Sequence, residues 1–241
     1  MASTAWMKNK DDRTVALAEY QRLRALTARE VAEVMQPMLG SDNAALKSAA
    51  HRLYNGVTPR EGYEEGENHE AENTLILDYA LLLNDRVGPS PRRQYIDKYG
   101  ASDDAEKREV AEVMSHYRFT LLRPVRSRKG FGVKCVDLLA QQEMVLVDVM
   151  GSEHFHEGCG EVYATGLLPF CDPSWNCFMD TGALMTIPDI FRPNDVAQLL
   201  VDLEVTRRQP LVLAENEQPK LAAVAFKLAY EAQTLSQMRY R

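Results

Sequence analysis

A change of period constrains this chain more than any other feature. Up to about His116 the apolar residues recur at helical spacing. Beyond it they fall into short β-branched runs (Phe119, Leu121 and Val125; Val133, Cys135 and Val136; Met144 to Val149) separated by turn residues such as Ser127–Gly130 and Ala140–Gln142. Near Pro193 helical spacing returns with Val196, Leu199, Leu200 and Leu203. The pattern predicts an α+β protein in three parts: a helical N-terminal half (1–116), a small antiparallel β barrel or curled sheet (117–190), and C-terminal helices (191–241) that pack back on the rest. With 241 residues, the chain fits one large domain or two small ones.

Within the first part, helix is expected from Arg13 to about Met38. Thr27 followed by Glu30 is a capping-box pattern that would break it in two. Pro37 and Gly40 stop the helix, and a second one is expected from Asn43 to Tyr54, ended by Asn55-Gly56. The Glu-rich stretch 57–72 reads as a surface loop. Helices are expected again at 72–84, 92–99 and 103–116, the last capped by Ser102 or Asp103. The heptapeptide Arg29-Glu-Val-Ala-Glu-Val-Met35 recurs as Arg108–Met114, and because its flanks do not match, it reads as two helical turns built from strong helix formers.

Charge is unevenly placed. The chain carries 28 Lys/Arg against 35 Asp/Glu, a net −7. Residues 1–60 hold nine basic and six acidic side chains, whereas 61–120 hold seven and fourteen. Such acidity excludes a non-specific coat on nucleic acid and leaves room for a local basic face. Two such faces stand out. The first is a helix-turn-helix-like hairpin over 27–55, in which small Ala32 would let the helices cross. Its second helix offers Asn43, Lys47, Ser48, His51 and Arg52 to phosphates or base edges, although the break at Pro37–Gly40 is longer than the usual turn. A helical hairpin packing on its own core is the plainer reading of the same residues. The second face is the first β hairpin, where Arg123, Arg126, Arg128, Lys129 and Lys134 alternate with Tyr117, Phe119 and Phe131, a stacking-plus-charge pattern. Cations at hairpin tips also protect exposed strand edges.

Other chemistry is thinly represented. His154, His156 and Cys159, with Cys171 and Cys177 downstream, are zinc-ligand types without a C-x-x-C knuckle. No G-x-S-x-G elbow, Walker loop or G-x-G-x-x-G fingerprint occurs. The four cysteines, without an export signal, are expected as reduced thiols in the cytoplasm, and no apolar run approaches membrane-spanning length.

Four segments carry a family likeness: Leu75-Ile-Leu-Asp-Tyr79; Ser115–Leu121; Gly132–Leu139 with Glu143–Asp148; and Gly160–Ala164 through Leu168-Pro-Phe170 to Thr181–Leu184. Over about 73–188 the chain resembles bacterial proteins in which a helical region leads into a small β module, often followed by a SEC-C zinc motif. That motif is absent after Ala183, so the resemblance implies a fold and no zinc role, catalytic residue or cofactor. The sequence therefore points to a non-catalytic binding or regulatory protein of the bacterial cytoplasm, with duplex DNA as the expected partner. The alternative is a protein-interaction adaptor using the apolar faces of Leu199–Leu203 and Leu221–Leu228, with self-association open to it. An enzyme of unidentified class comes third.

Overall fold

Asn9 opens the first helix, accepting the Asp11 backbone N–H on its side chain at 3.0 Å, with Asp11 and Asp12 complementing the helix dipole in the first turn. In the computed structural model, residues 9–40, 44–55, 57, 69–86, 88–148, 161–170, 175–187, 193–207 and 209–232 are described. Helix α1 runs unbroken over Lys10–Glu30, so the expected break at Thr27 is corrected. Thr27 lies buried inside the helix. Glu30, which a capping box would turn back toward Thr27, instead accepts the Tyr95 hydroxyl at 2.8 Å.

The irregularity comes one turn later. Val31–Met35 widens into a π-helical turn, and Gln36–Leu39 tightens into a 3₁₀ turn that stops at Gly40 with φ +76°. The repeated heptapeptide is informative here. Its second copy, Arg108–Met114, lies wholly within the α-helix α5 (Ala105–Ser115), burying Val110, Ala111 and Met114. In the first copy Met35 is buried while Ala32 stays exposed. Identical residues adopt two helical geometries, so tertiary packing and not local propensity sets the π turn.

Helices α2 (Ala44–Tyr54), α3 (His69–Leu82) and α4 (Pro91–Tyr99) follow. Ser90 caps α4 with Pro91 at its first position. For α5 the cap is Asp104, which accepts the N–H groups of Glu106 and Lys107, in place of Ser102 or Asp103.

The strands β1 (Arg118–Arg128), β2 (Gly132–Asp137), β3 (Gln142–Val147), β4 (Val162–Pro169) and β5 (Cys177–Ile187) close a barrel in the order β1-β2-β3-β5-β4. The eleven-residue β1 serves two partners: its first half pairs with β4 and its second half with β2. Four of the five seams are antiparallel. The fifth, β3 with β5 at Val145↔Cys177 and Leu146↔Phe178, is parallel and corrects the all-antiparallel expectation. Leu122, Val133, Cys135, Met144, Leu146, Tyr163 and Leu167 fill the barrel interior. Phe119, Leu121, Val145 and Val162 face outward into a larger core shared with the helices. Gly166 allows one close approach: a Cβ there would lie 2.5 Å from the Tyr117 ring.

Helices α6 (Pro193–Asp202) and α7 (Gln218–Glu231) complete the chain, and α7 packs across α2, β1 and β5. Buried Gln218 ties it down by accepting the Phe119 N–H at 2.9 Å. Among the described residues no helix is long and apolar enough to cross a membrane.

Candidate nucleic-acid interface

From Arg118 to Val136 the chain carries six Lys/Arg and no Asp or Glu. The β1–β2 hairpin sorts these cations by depth. Its tip is a tight turn in which Phe131 N–H donates to Arg128 O at 3.0 Å and Gly130 takes φ +72°. The register shift between Pro124 and Arg126 bends β1 away from its partner. Arg126, Arg128 and Lys129 are exposed at this end, alongside Val125 at 46%. Arg123 is half-buried, and Lys134 pairs with Glu143 at 2.7 Å.

Arg118 belongs to a different structure. Its guanidinium lies 3.2 Å from Asp137 Oδ2 and 4.6 Å from the Phe178 ring centroid, with burial pulling its pKa down against the pull of Asp137. The Asp137 Oδ1 atom accepts from Thr120 Oγ1 and from the Leu139 and Ala140 N–H groups. This cluster pins the β2–β3 turn to the first strand.

Stacking is where the expectation fails. Tyr117, Phe119 and Phe131 are all buried, at 7%, 6% and 5%, so none presents a ring face to solvent. Because the strand alternates, a ring beside a surface cation points to the opposite face, and here that face is core. The half-buried aromatics on the barrel are Phe178 and, just before β5, Trp175.

In the helical part, Lys47 and His51 are exposed on one face of α2, four residues apart, while Ser48 and Arg52 are half-buried. Arg52 sits beside the Tyr79 hydroxyl, opposing the upward push that burial gives that group. Asn43 lies outside the described residues. Helix α2 packs on α3 and α7, and α1 on α5; the exposed Ala32 is not a crossing point. The Asn84 side chain donates to Ala45 O at 3.1 Å, and the Tyr54 ring meets Phe226 and Tyr230 edge-on at 5.2 and 5.7 Å. Together these contacts fix the inner face of α2 and leave Lys47 and His51 outward.

His154, His156 and Cys159 fall outside the described residues, as does Cys171. Among the described residues no group of three His, Cys, Asp or Glu side chains converges as a metal would require. The described cysteines, Cys135 and Cys177, are buried. The apolar faces of α6 and α7 are spent on the core: Leu199, Leu200, Leu203, Leu221 and Phe226 are all below 7% exposed.

No known protein family, curated protein or solved structure matches the chain. The resemblance drawn from the β module therefore contributes no family assignment. What the residues define is a class by architecture: a helical layer wrapped on a closed five-stranded barrel whose first hairpin is cationic.

Proposed function

We propose that this is a non-catalytic, cytoplasmic nucleic-acid-binding protein that holds a phosphate backbone with Arg126, Arg128 and Lys129 at the tip of the β1–β2 hairpin. The carrying observation is the concentration of exposed cations at that tip in a chain whose net charge is −7. Elsewhere the protein repels a polyanion, so contact has to be local and sensitive to salt. The barrel supports the same reading. A five-stranded Greek-key barrel with this strand order has the layout of the OB-fold, which uses its β2–β3 face and its β1–β2 and β4–β5 loops for oligonucleotides or oligosaccharides. Trp175 stands in the corresponding β4–β5 connection. The buried Cys135 thiol, outside any disulfide, suits a reducing, cytoplasmic setting.

A second reading rests on Lys47 and His51, which face outward from α2 and would contact duplex DNA. Fluorescence anisotropy with a labelled oligo-dT and a mixed-sequence duplex separates the two. The triple variant Arg126→Glu, Arg128→Glu, Lys129→Glu should lose oligo-dT binding, and Lys47→Glu with His51→Glu should keep it. Duplex binding that survives the hairpin changes and disappears with the α2 changes would transfer the function to α2. Binding to neither probe at low salt would end both readings.

A further inference from the structure

Behind the barrel, between α1, α3, α5 and the β4–β5 pair, lies a cleft of about 220 Å³ that the nucleic-acid reading does not use. Its floor is apolar, built from the buried side chains of Leu81, Met114, Leu168 and Met179. Its mouth opens along Ala28 and Ala32, which are exposed, four residues apart and too small to close it. The charged side chains of the lining are already engaged. Arg24 Nη1 donates to the Asp180 carbonyl at 3.1 Å and lies 3.5 Å from Asp180 Oδ1, which also accepts the Gly182 N–H at 2.8 Å. Asp78 likewise has interactions of its own within the protein. A charged guest of either sign would have to break one of these contacts or lie desolvated without a counterion. The lining selects a neutral molecule.

Two further observations mark the cleft as a place for a guest. Thr27 lines it and is more than nine-tenths buried, and its Oγ1 has no hydrogen-bond partner among the described residues. A hydroxyl left in this state opposes folding, and a guest that donates or accepts there offsets the loss. The second observation is the wall formed by Val31 and Ala32. Both belong to the π-helical turn, a distortion that recurs at functional sites and that the same heptapeptide does not adopt in α5.

We infer that the cleft binds a small neutral aromatic alcohol. The alcohol pairs with Thr27 Oγ1, which can both give and take a hydrogen bond. The ring lies on the floor against Met114 and Met179, whose polarisable sulfurs favour aromatic contact. Size agrees. A cavity of about 150 Å³ admits benzene, so 220 Å³ accommodates about nine non-hydrogen atoms, a ring with a two-carbon alcohol.

Titration calorimetry on the full chain at neutral pH with three probes of one shape tests this: 2-phenylethanol, the cationic phenethylamine and the anionic phenylacetate. The alcohol should bind saturably, and both ions at least about tenfold more weakly. Thr27→Val should weaken the alcohol about fivefold, one hydrogen bond's worth. The same change should raise the melting temperature, because it replaces the orphan hydroxyl with an apolar group of similar shape. Ala32→Trp lies at the exposed mouth, so it should leave the circular dichroism unchanged while blocking the cleft and eliminating binding. Four results would overturn the inference: no saturable heat from 2-phenylethanol at millimolar concentration, an ion that binds as well as the alcohol, a Thr27→Val variant that melts lower or binds like wild type, or binding that survives Ala32→Trp.

Discussion

Replacing Asp137 by Ala probes the barrel at its most heavily used side chain. Asp137 is 1% exposed, and its Oδ1 atom accepts three hydrogen bonds: from Thr120 Oγ1 at 3.0 Å and from the Leu139 and Ala140 N–H groups at 2.9 Å each. Its other oxygen has no hydrogen-bond donor and faces Arg118 at 3.2 Å, a contact of charge on charge. The alanine variant loses those acceptors and leaves the Arg118 guanidinium, 12% exposed, without its counterion. Breaking a buried pair from one side costs about 3–5 kcal/mol, because the surviving charge stays desolvated. For a chain of this length each kcal/mol moves the melting temperature by about 2–4 °C, so a fall of roughly 6–20 °C is expected. Urea unfolding followed by circular dichroism gives the same quantity as a lowered midpoint with an unchanged slope. Adding Arg118→Met to Asp137→Ala should recover about 2 kcal/mol by removing the stranded cation. A loss below about 1 kcal/mol for Asp137→Ala, or no recovery in the double variant, would refute the claim that this cluster holds the β2–β3 turn to β1.

Three further outcomes follow from the core. Gly166→Ala should destabilise the protein by about 1–3 kcal/mol in the same urea assay, since its Cβ would fall within 2.5–2.9 Å of the Tyr117 ring. Tyr95→Phe should cost about 1–3 kcal/mol by depriving Glu30, which is 2% exposed, of its hydroxyl donor. Alkali should unfold the chain. Burial, reinforced by Asp180 and Asp148 and opposed by Arg24, pushes the Tyr20 hydroxyl up to about 12. A raised folded-state value means the native protein holds its proton more tightly than the unfolded chain does. The associated stability is fully present below about pH 10 and is lost as pH climbs toward 12. Tyrosinate absorbance and circular dichroism should therefore change together in that window; full tyrosine ionisation with the fold intact would contradict it.

The architecture was largely legible because it is written in local period. The switch past Tyr117 to β-branched alternation and the return near Pro193 required no long-range information, and the strands and last helices lie where those changes put them. What escaped was whatever depends on contacts distant in sequence. The parallel β3–β5 seam joins residues some thirty apart, and no turn signal announces it. The Thr27–Glu30 capping pattern misled because Tyr95, 65 positions away, claims the Glu30 carboxylate. In the β1–β2 hairpin the cations were readable as surface, but alternation turns Phe119 and Phe131 inward and removes the stacking platform. Arg52 offered a cation to a would-be recognition helix, yet it sits half-buried beside Tyr79. The cavity was invisible for the same reason: Arg24, Thr27, Asp78 and Asp180 come from three separate elements, and no spacing rule links them.

The salt dependence of oligonucleotide binding tests the central claim most directly. Three cations on a single strand should give a slope of about −2 in a plot of log K against log salt concentration, falling toward zero when Arg126, Arg128 and Lys129 are all changed to Glu. A slope that the triple variant leaves unaltered, or an oligonucleotide that does not bind even at low salt, would contradict the assignment of the β1–β2 hairpin as the nucleic-acid contact.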